Sequence, residues 1–268
     1  MTGVSEMRGL FDISGMVAVV TGAGSGLGQG IAYAFAANGG KVVASDINAE
    51  ALGKTVEEIK TNGYIVKPVV ADCTSVTDVR RLREEALKEF GRIDALYAVP
   101  GINFRRKIED YSYEDFDKVV QVNLKGTFIL MKEIGKEIAR NKDGGSIVVM
   151  SSIRNAVVEQ GQAAYASTKA AVAQLARVQA AELADKNVRV NALAPGYTDT
   201  PLVTKIKNNA EWYRQSTNRN ALRRWATVRE IAGPAIFLAT PAASFITGSV
   251  VYVDGGWTAI DGRYDPPL

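Results

Sequence analysis

Met16-Val-Ala-Val-Val-Thr21 runs directly into Gly22-Ala-Gly-Ser-Gly26-Leu-Gly28, and the fold is decided at this join. The first segment is continuously apolar up to its closing threonine, as expected of a strand buried on both faces. The second is a glycine-rich turn, and an apolar pattern of helical period follows it over residues 28–38. Between strand and helix, glycines let the backbone come close to a pyrophosphate, while the first helical turn offers free N–H groups and the positive end of its dipole. A glycine-rich turn alone occurs in many proteins. A strand before it, a helix after it and an acidic residue at the end of the next strand together predict a dinucleotide site, with Gly22, Ser25, Gly26, Leu27 and Gly28 around the phosphates.

The same alternation extends outward from this join. Apolar, β-rich runs at 16–21, 41–45, 65–70, 95–99, 146–151, 188–194 and 249–253 are separated by helical runs at 28–38, 49–62, 75–90, 113–141, 163–184 and 228–238. Buried parallel strands read as unbroken apolar runs, and β–α alternation winds them into one open sheet. The predicted fold class is therefore α/β: a single-domain, Rossmann-like, doubly wound parallel sheet of seven strands with helices on both faces. No repeat, low-complexity stretch or linker divides residues 1–268. Residues 200–227 break the alternation and are rich in polar and aromatic side chains, so they read as a substrate-covering insertion of short helices.

Asp46 closes the second strand in Ser45-Asp46-Ile47, where a carboxylate can accept hydrogen bonds from the adenosine ribose hydroxyls. It would repel a 2′-phosphate, and no Lys or Arg occurs at 18–40 or 42–52 to neutralise one. NAD is therefore expected rather than NADP. The alternative is that Asp46 only caps the following helix. Asp72, after the third strand, either meets the adenine amino group or caps the helix after it. Ile47 and Cys73, next to these two carboxylates, are counted with the cofactor-binding set.

Composition narrows the chemistry. The 268 residues are 47% hydrophobic and 23% charged with a net charge of +3, an ordinary globular balance with no basic stripe for nucleic acid and no polybasic membrane anchor. Histidine is absent and Cys73 is the one cysteine, which removes Ser–His and Cys–His nucleophiles, His- or Cys-based metal sites and any disulfide within the chain. Acid–base chemistry is left to Tyr, Lys, Asp or Glu. No apolar stretch approaches the roughly 18 residues of a membrane span, and residues 1–10 lack the apolar core of a signal peptide. A cytoplasmic protein is expected, without nucleic-acid, membrane or metal partners.

Tyr165-Ala-Ser-Thr-Lys169 sets a tyrosine and a lysine one turn apart on one helix face. A phenol has a pKa of about 10 and is a poor base near neutrality; a fixed ammonium beside it is expected to lower that value and make proton transfer to a substrate oxygen practicable. Taken alone, the pair is more often a snorkelling lysine beside a half-buried tyrosine. Ser152 changes that reading, because it follows the fifth strand at the carboxyl edge, where open α/β sheets bind ligands.

These motifs together resemble the short-chain dehydrogenase/reductase family over nearly the whole chain. They are Thr21-Gly22-x-x-x-Gly26-x-Gly28, Asn123 in Val122-Asn123-Leu124, Ser152 thirteen residues before Tyr165, Tyr165-x-x-x-Lys169, Pro195-Gly196 followed by Thr200, and Asp254-Gly255-Gly256. The resemblance implies a Rossmann-like domain assembled as a homotetramer or homodimer. It implies that Tyr165 transfers the proton, that Lys169 tunes it and binds the nicotinamide ribose, that Ser152 orients the substrate, and that Asn123 holds a water linking Lys169 to solvent. Backbone around Pro195, Gly196, Thr198 and Thr200 should contact the nicotinamide, and Gly101 should approach the cofactor. In one respect the chain departs from the pattern: Ala98-Val99-Pro100-Gly101 replaces the usual Asn-Asn-Ala-Gly, which puts cofactor contacts near Val99 in doubt.

For the substrate, Arg105 and Arg106 follow the fourth strand and Arg154 lies just past Ser152; converging arginines can clamp a carboxylate, whereas arginines read singly are as often solvated surface. Gln160, Tyr197 and Trp212 are further pocket candidates. Within the family, Gly101-Ile-Asn-x-Arg105-x-Lys107, Ala194-Pro-Gly-Tyr197-x-x-Thr200, Arg223-Arg-Trp225 and Val253-Asp-Gly-Gly-Trp257 look most similar to gluconate and 2-deoxygluconate (sugar-acid) dehydrogenases. The expected activity is interconversion of a secondary alcohol and a ketone on a sugar acid, sugar or polyol. A 3-oxoacyl-thioester reductase of the same family is the first alternative, and a non-catalytic nucleotide-sensing protein is the alternative of another class.

Overall fold

The computed structural model describes residues 7–261. Seven strands form one parallel sheet: β1 (Val17–Thr21), β2 (Lys41–Asp46), β3 (Val66–Val70), β4 (Ala95–Ala98), β5 (Gly145–Met150), β6 (Val188–Pro195) and β7 (Val250–Val253). Their spatial order is β3-β2-β1-β4-β5-β6-β7. The expected α/β class, strand number and parallel pairing are all present, with helices on both faces.

Continuous apolarity in these strands has a direct cause. Along β1, Ala18 and Val20 enter one buried cluster, with Phe35 of α1 (Gly26–Ala37) and Ile231 of α9 (Val228–Ala239). Val17 and Val19 enter the other, with Leu82 of α3 (Val76–Phe90) and Leu130 of α5 (Thr127–Ile138). Both faces are covered, so neither set of alternate residues can be polar. Helix starts are fixed by side-chain caps: Asn48 accepts the Ala51 N–H before α2 (Ala49–Thr61), Ser75 accepts the Asp78 N–H before α3, and Thr227 and Glu230 make a reciprocal capping box before α9.

One stretch differs from expectation. The helix predicted over 113–141 is α4 (Tyr113–Val119), a wider π-helical segment (Val120–Gly126) and then α5, ending at Ile138. Apolar periodicity does not distinguish an ordinary turn from one wide turn, and the wide turn carries Asn123 into the interior. The stretch at 200–227 holds a 3₁₀ turn (Pro201–Val203), α7 (Thr204–Lys207) and α8 (Ala210–Thr217). Among the described residues no helix is long and apolar enough to cross a membrane. Of residues 261–268, which read as either an arm to a neighbouring subunit or a frayed end, 262–268 lie outside the described part, as do residues 1–6.

The chain leaves the sheet in opposite directions from β1, toward β2 and β3 on one side and toward β4 on the other. The carboxyl ends of β1 and β4 therefore open a crevice between diverging connections. A cleft of about 540 Å³ lies there and brings together residues from the loops that follow β1 to β6.

Candidate active site

At one end of the cleft the glycine turn meets the start of α1. A Cβ on Gly28 would stand 2.1 Å from the carbonyl oxygen of Gly22, a backbone atom that cannot yield, so only glycine lets the helix N-terminus close on the turn. Asp46 Oδ2 accepts the Gly24 N–H at 2.9 Å and Oδ1 accepts the Asn48 N–H at 2.9 Å. The carboxylate therefore locks the glycine turn to the end of β2, and the cap of α2 is Asn48, not Asp46. Asp72 takes both Thr74 donors at 2.8 Å in a local turn; the cap of α3 is Ser75. Gly22, Ser25, Gly26, Leu27, Gly28, Asp46, Ile47, Asp72 and Cys73 all line this end. Burial and the neighbouring Asp72 push the Cys73 thiol up to about 12, so it lines the cleft as an unreactive group.

Where the family asparagines are replaced, Thr21 supplies the brace. Its Oγ1 donates to the Tyr97 carbonyl and accepts the Val99 N–H, each at 3.3 Å, tying β1 to β4 across the switch point. Together the sterically enforced glycine cradle, the free helix N-terminus and the anchored carboxylate fit a nicotinamide dinucleotide. A volume of about 540 Å³ is within the usual range for ligand clefts.

Tyr165 and Lys169 project from α6 (Ala163–Leu183) at the middle of the cleft, facing Ser152, which follows β5. Lys169 is buried, its Nζ donates to the Met150 carbonyl at 2.7 Å, and desolvation brings its pKa down to about 8. The Tyr165 phenol is shifted up by burial, opposed by a hydrogen bond from Ser152 and by the guanidinium charges of Arg154 and Arg105. This corrects the expectation that the lysine ammonium dominates: Lys169 Nζ is 5.6 Å from the Tyr165 ring centre, and burial outweighs the lowering influences. Asn123 stands behind the cleft. Its Oδ1 accepts the Ile102 N–H at 2.8 Å, and its Nδ2 donates to the Ile102 carbonyl at 2.9 Å and to Thr168 Oγ1 at 3.3 Å. It thereby joins the π-helical turn to α6 and to the loop after β4. Gly101, Pro195, Gly196, Thr198 and Thr200 line the cleft on either side of the Tyr–Lys pair.

Beyond Tyr165 the cleft is lined by Arg105, Arg154, Gln162 and Tyr197. Arg154 is only 6% exposed at its side chain, and its backbone N–H donates to Ser152 Oγ at 3.2 Å. Both arginines pair with one carboxylate, Glu159, at 3.2 Å for Arg105 and 2.9 Å for Arg154. Two expectations are corrected. Arg106 points away, pairs with Asp115 at 2.9 Å and is 51% exposed, so the arginine set is two, not three. Gln160 is exposed on the turn before Gly161, while Gln162, buried and donating to Glu159, is the glutamine in the wall. Trp212 stands behind Arg105, its ring 4.8 Å from the guanidinium carbon. Sequence reasoning missed Glu159 and Gln162. The available signal was confinement: any polar residue between Ser152 and Tyr165 must lie near the cleft edge.

Such an arrangement has room and donors for a dinucleotide at one end, presents a phenol, a hydroxyl and an amine at its centre, and sets two guanidinium groups at the other. The description of the family model that matches residues 22–258 is enoyl-(acyl carrier protein) reductase. A 3-oxoacyl-(acyl-carrier-protein) reductase of Thermotoga maritima is 35% identical over 91% of this chain and 98% of its own length. A 2-dehydro-3-deoxy-D-gluconate 5-dehydrogenase of Dickeya dadantii is 30% identical over 93% and 98%. The crystal structure of a gluconate 5-dehydrogenase from Burkholderia cenocepacia in complex with NADP and tartrate superposes with a TM-score of 0.90 at 30% identity, covering 94% of this chain and 98% of that one.

Proposed function

The chain belongs to the short-chain dehydrogenase/reductase family, and from that premise we propose that it is an NAD(H)-dependent enzyme interconverting a secondary hydroxyl and a ketone on a sugar acid, sugar or polyol. The observation that carries the substrate class is the pair Arg105 and Arg154 beside Ser152 and Tyr165: two guanidinium groups, one of them buried, suit a carboxylate on a hydroxylated substrate. Asp46 carries the cofactor preference, since its carboxylate favours ribose hydroxyls and repels a 2′-phosphate.

In this reading the bound nicotinamide supplies the hydride acceptor for oxidation, or the donor for reduction. Ser152 donates a hydrogen bond to the substrate oxygen and holds it against Tyr165. The Tyr165 phenolate takes the hydroxyl proton during oxidation, and the phenol returns one to the carbonyl oxygen during reduction. Lys169 lies near neutrality in pKa and binds the nicotinamide ribose, while Arg154 and Arg105 offset the cost of the phenolate. Asn123 keeps the Ile102 backbone and the Tyr165–Lys169 turn in register. The segment 200–227 covers the substrate, and the enzyme works as a cytoplasmic homotetramer or homodimer.

The carrier-protein reductase relative favours a second reading, reduction of a 3-oxoacyl thioester. A nucleotide-sensing role without catalysis is disfavoured by the intact Ser152, Tyr165 and Lys169 set. Initial rates over a panel of sugar acids, sugars and polyols, each with NAD and NADP, decide among these. Turnover with sugar acids or polyols and NAD is expected. Reduction of acyl thioesters with no turnover of the panel would overturn the proposal.

A further inference from the structure

Glu159 is the unexpected group at the substrate end. Its Oε2 accepts from Arg105, Arg154, Gln162 and Tyr197, while among the described residues Oε1 meets only Tyr197, at 3.2 Å. Its side chain is 22% exposed, and both arginines and Tyr197 line the cleft. A guanidinium has five N–H donors in a planar fork, so one carboxylate shared between two of them leaves donors for a second anion. The charge sum of this cluster is one unit positive: two guanidinium groups against one carboxylate. Aromatic rings back both cations. Trp212 stacks on Arg105, and Tyr197 and Trp257 lie 5.6 and 5.5 Å from the Arg154 guanidinium carbon, which restricts either arginine from swinging out to water.

We propose that Glu159 is a specificity-determining residue that fixes the charge of the accepted substrate: it cancels one of the two arginine charges, so the site favours monoanions over neutral molecules and gives no further advantage to dianions. The inference rests on the sugar-acid reading above. One carboxylate on the substrate brings the two guanidinium groups and Glu159 to neutrality, while a second would meet a cluster already balanced, with the Glu159 carboxylate beside both arginines. At an effective dielectric near 20 and separations of several ångströms, one such charge is worth about tenfold in affinity after screening.

Three four-carbon probes of matched shape test this: threitol (neutral), threonate (monoanion) and tartrate (dianion). Each is titrated by calorimetry into the protein saturated with NADH, or with NADPH should that be the dinucleotide it binds. Threonate is expected to bind about tenfold more tightly than threitol, and tartrate no more tightly than threonate. Glu159→Gln, which keeps an acceptor for the arginines, should gain about tenfold for tartrate and make it the tightest of the three; Glu159→Asp should keep the wild-type order. A merely structural Glu159 would weaken all three probes alike in the Gln variant, and that result overturns the proposal. So does a wild-type protein in which the second carboxylate gains as much as the first, a result that needs no variant to fold. If none of the three binds, the sugar-acid reading fails and this inference with it; if they bind without the charge order, only the role of Glu159 fails.

Discussion

A phenol with pKa about 10 exchanges protons poorly near neutrality, and burial moves Tyr165 further from use. In the role proposed for it, the residue depends on the groups that oppose that shift, Ser152, Arg154 and Arg105, with Lys169 one turn along α6. Removing only the oxygen should therefore separate chemistry from binding. Tyr165→Phe is expected to lose about 100- to 10,000-fold in kcat, as is typical when an acid–base group is removed, while dinucleotide affinity by fluorescence titration stays within about threefold. Lys169 leads to a prediction about stability. Its pKa is about 8 in the fold and about 10.4 in an unfolded chain, so the unfolded state binds more protons between those values and stability rises with pH across that window. Below pH 8 the full penalty is present, about 3 kcal/mol at pH 7. Lys169→Met leaves the Met150 carbonyl unpaired at a cost of about 1 kcal/mol, so it should be more stable than wild type at pH 7 by about 2 kcal/mol, and the advantage should vanish by about pH 9.5. Urea melts at the two pH values check this, and a variant less stable at pH 7 would contradict the buried, near-neutral amine. Tyr165, Ser152 and Lys169 were legible because their spacing is short and fixed by strand and helix geometry. Glu159 was not, because what distinguishes it from a solvated loop carboxylate is an arginine 54 positions earlier in the chain.

Strands and helices were readable to within a few residues because both faces of the sheet are buried, which leaves an unbroken apolar signature over Val17–Val20 of β1 and Ile147–Met150 of β5 and a largely apolar one in β2 and β6. The π-helical turn at Val120–Gly126 left no such mark. Helix-to-helix contacts were equally invisible, and α1 against α9 is the instructive case. A Cβ on Gly30 would stand 2.0 Å from Val228 Cγ1, the first residue of α9. The glycine in the middle of α1 therefore lets two helices cross closely, even though glycine is a poor helix former. Gly30→Ala should lower stability by about 1–3 kcal/mol through overpacking, despite alanine's better propensity. Because the obstructing atom is a side-chain methyl and not backbone, Val228→Ala in the same chain should recover most of the loss. Denaturant midpoints of the two single variants and the double variant measure the coupling; additive effects would show that the contact is not responsible.

At the scale of the molecule, the reversal of strand order between β1 and β4 builds the cleft, and the dinucleotide site proposed there exists only in the folded chain, because its glycine turn and Asp46 come from different strands. A ligand that binds only the native state stabilises it by mass action, about 2.7 kcal/mol at 100 times its dissociation constant. For a domain of this size that corresponds to a rise in Tm of about 5–10 °C. The size of the rise reports cofactor preference without any knowledge of the substrate. NADH should produce it, and NADPH at the same concentration should produce less than half, because the Asp46 carboxylate, fixed by the Gly24 and Asn48 N–H groups, cannot turn away from a 2′-phosphate. Asp46→Asn keeps one acceptor for the Gly24 N–H and removes the charge. It should leave the Tm of the unliganded protein within about 4 °C, since the one hydrogen bond lost costs about 1 kcal/mol, and bring the two dinucleotide shifts together. Equal shifts with NADH and NADPH in the unaltered chain would show that the Asp46 carboxylate does not select the cofactor, and a larger shift with NADPH would reverse the preference proposed for it.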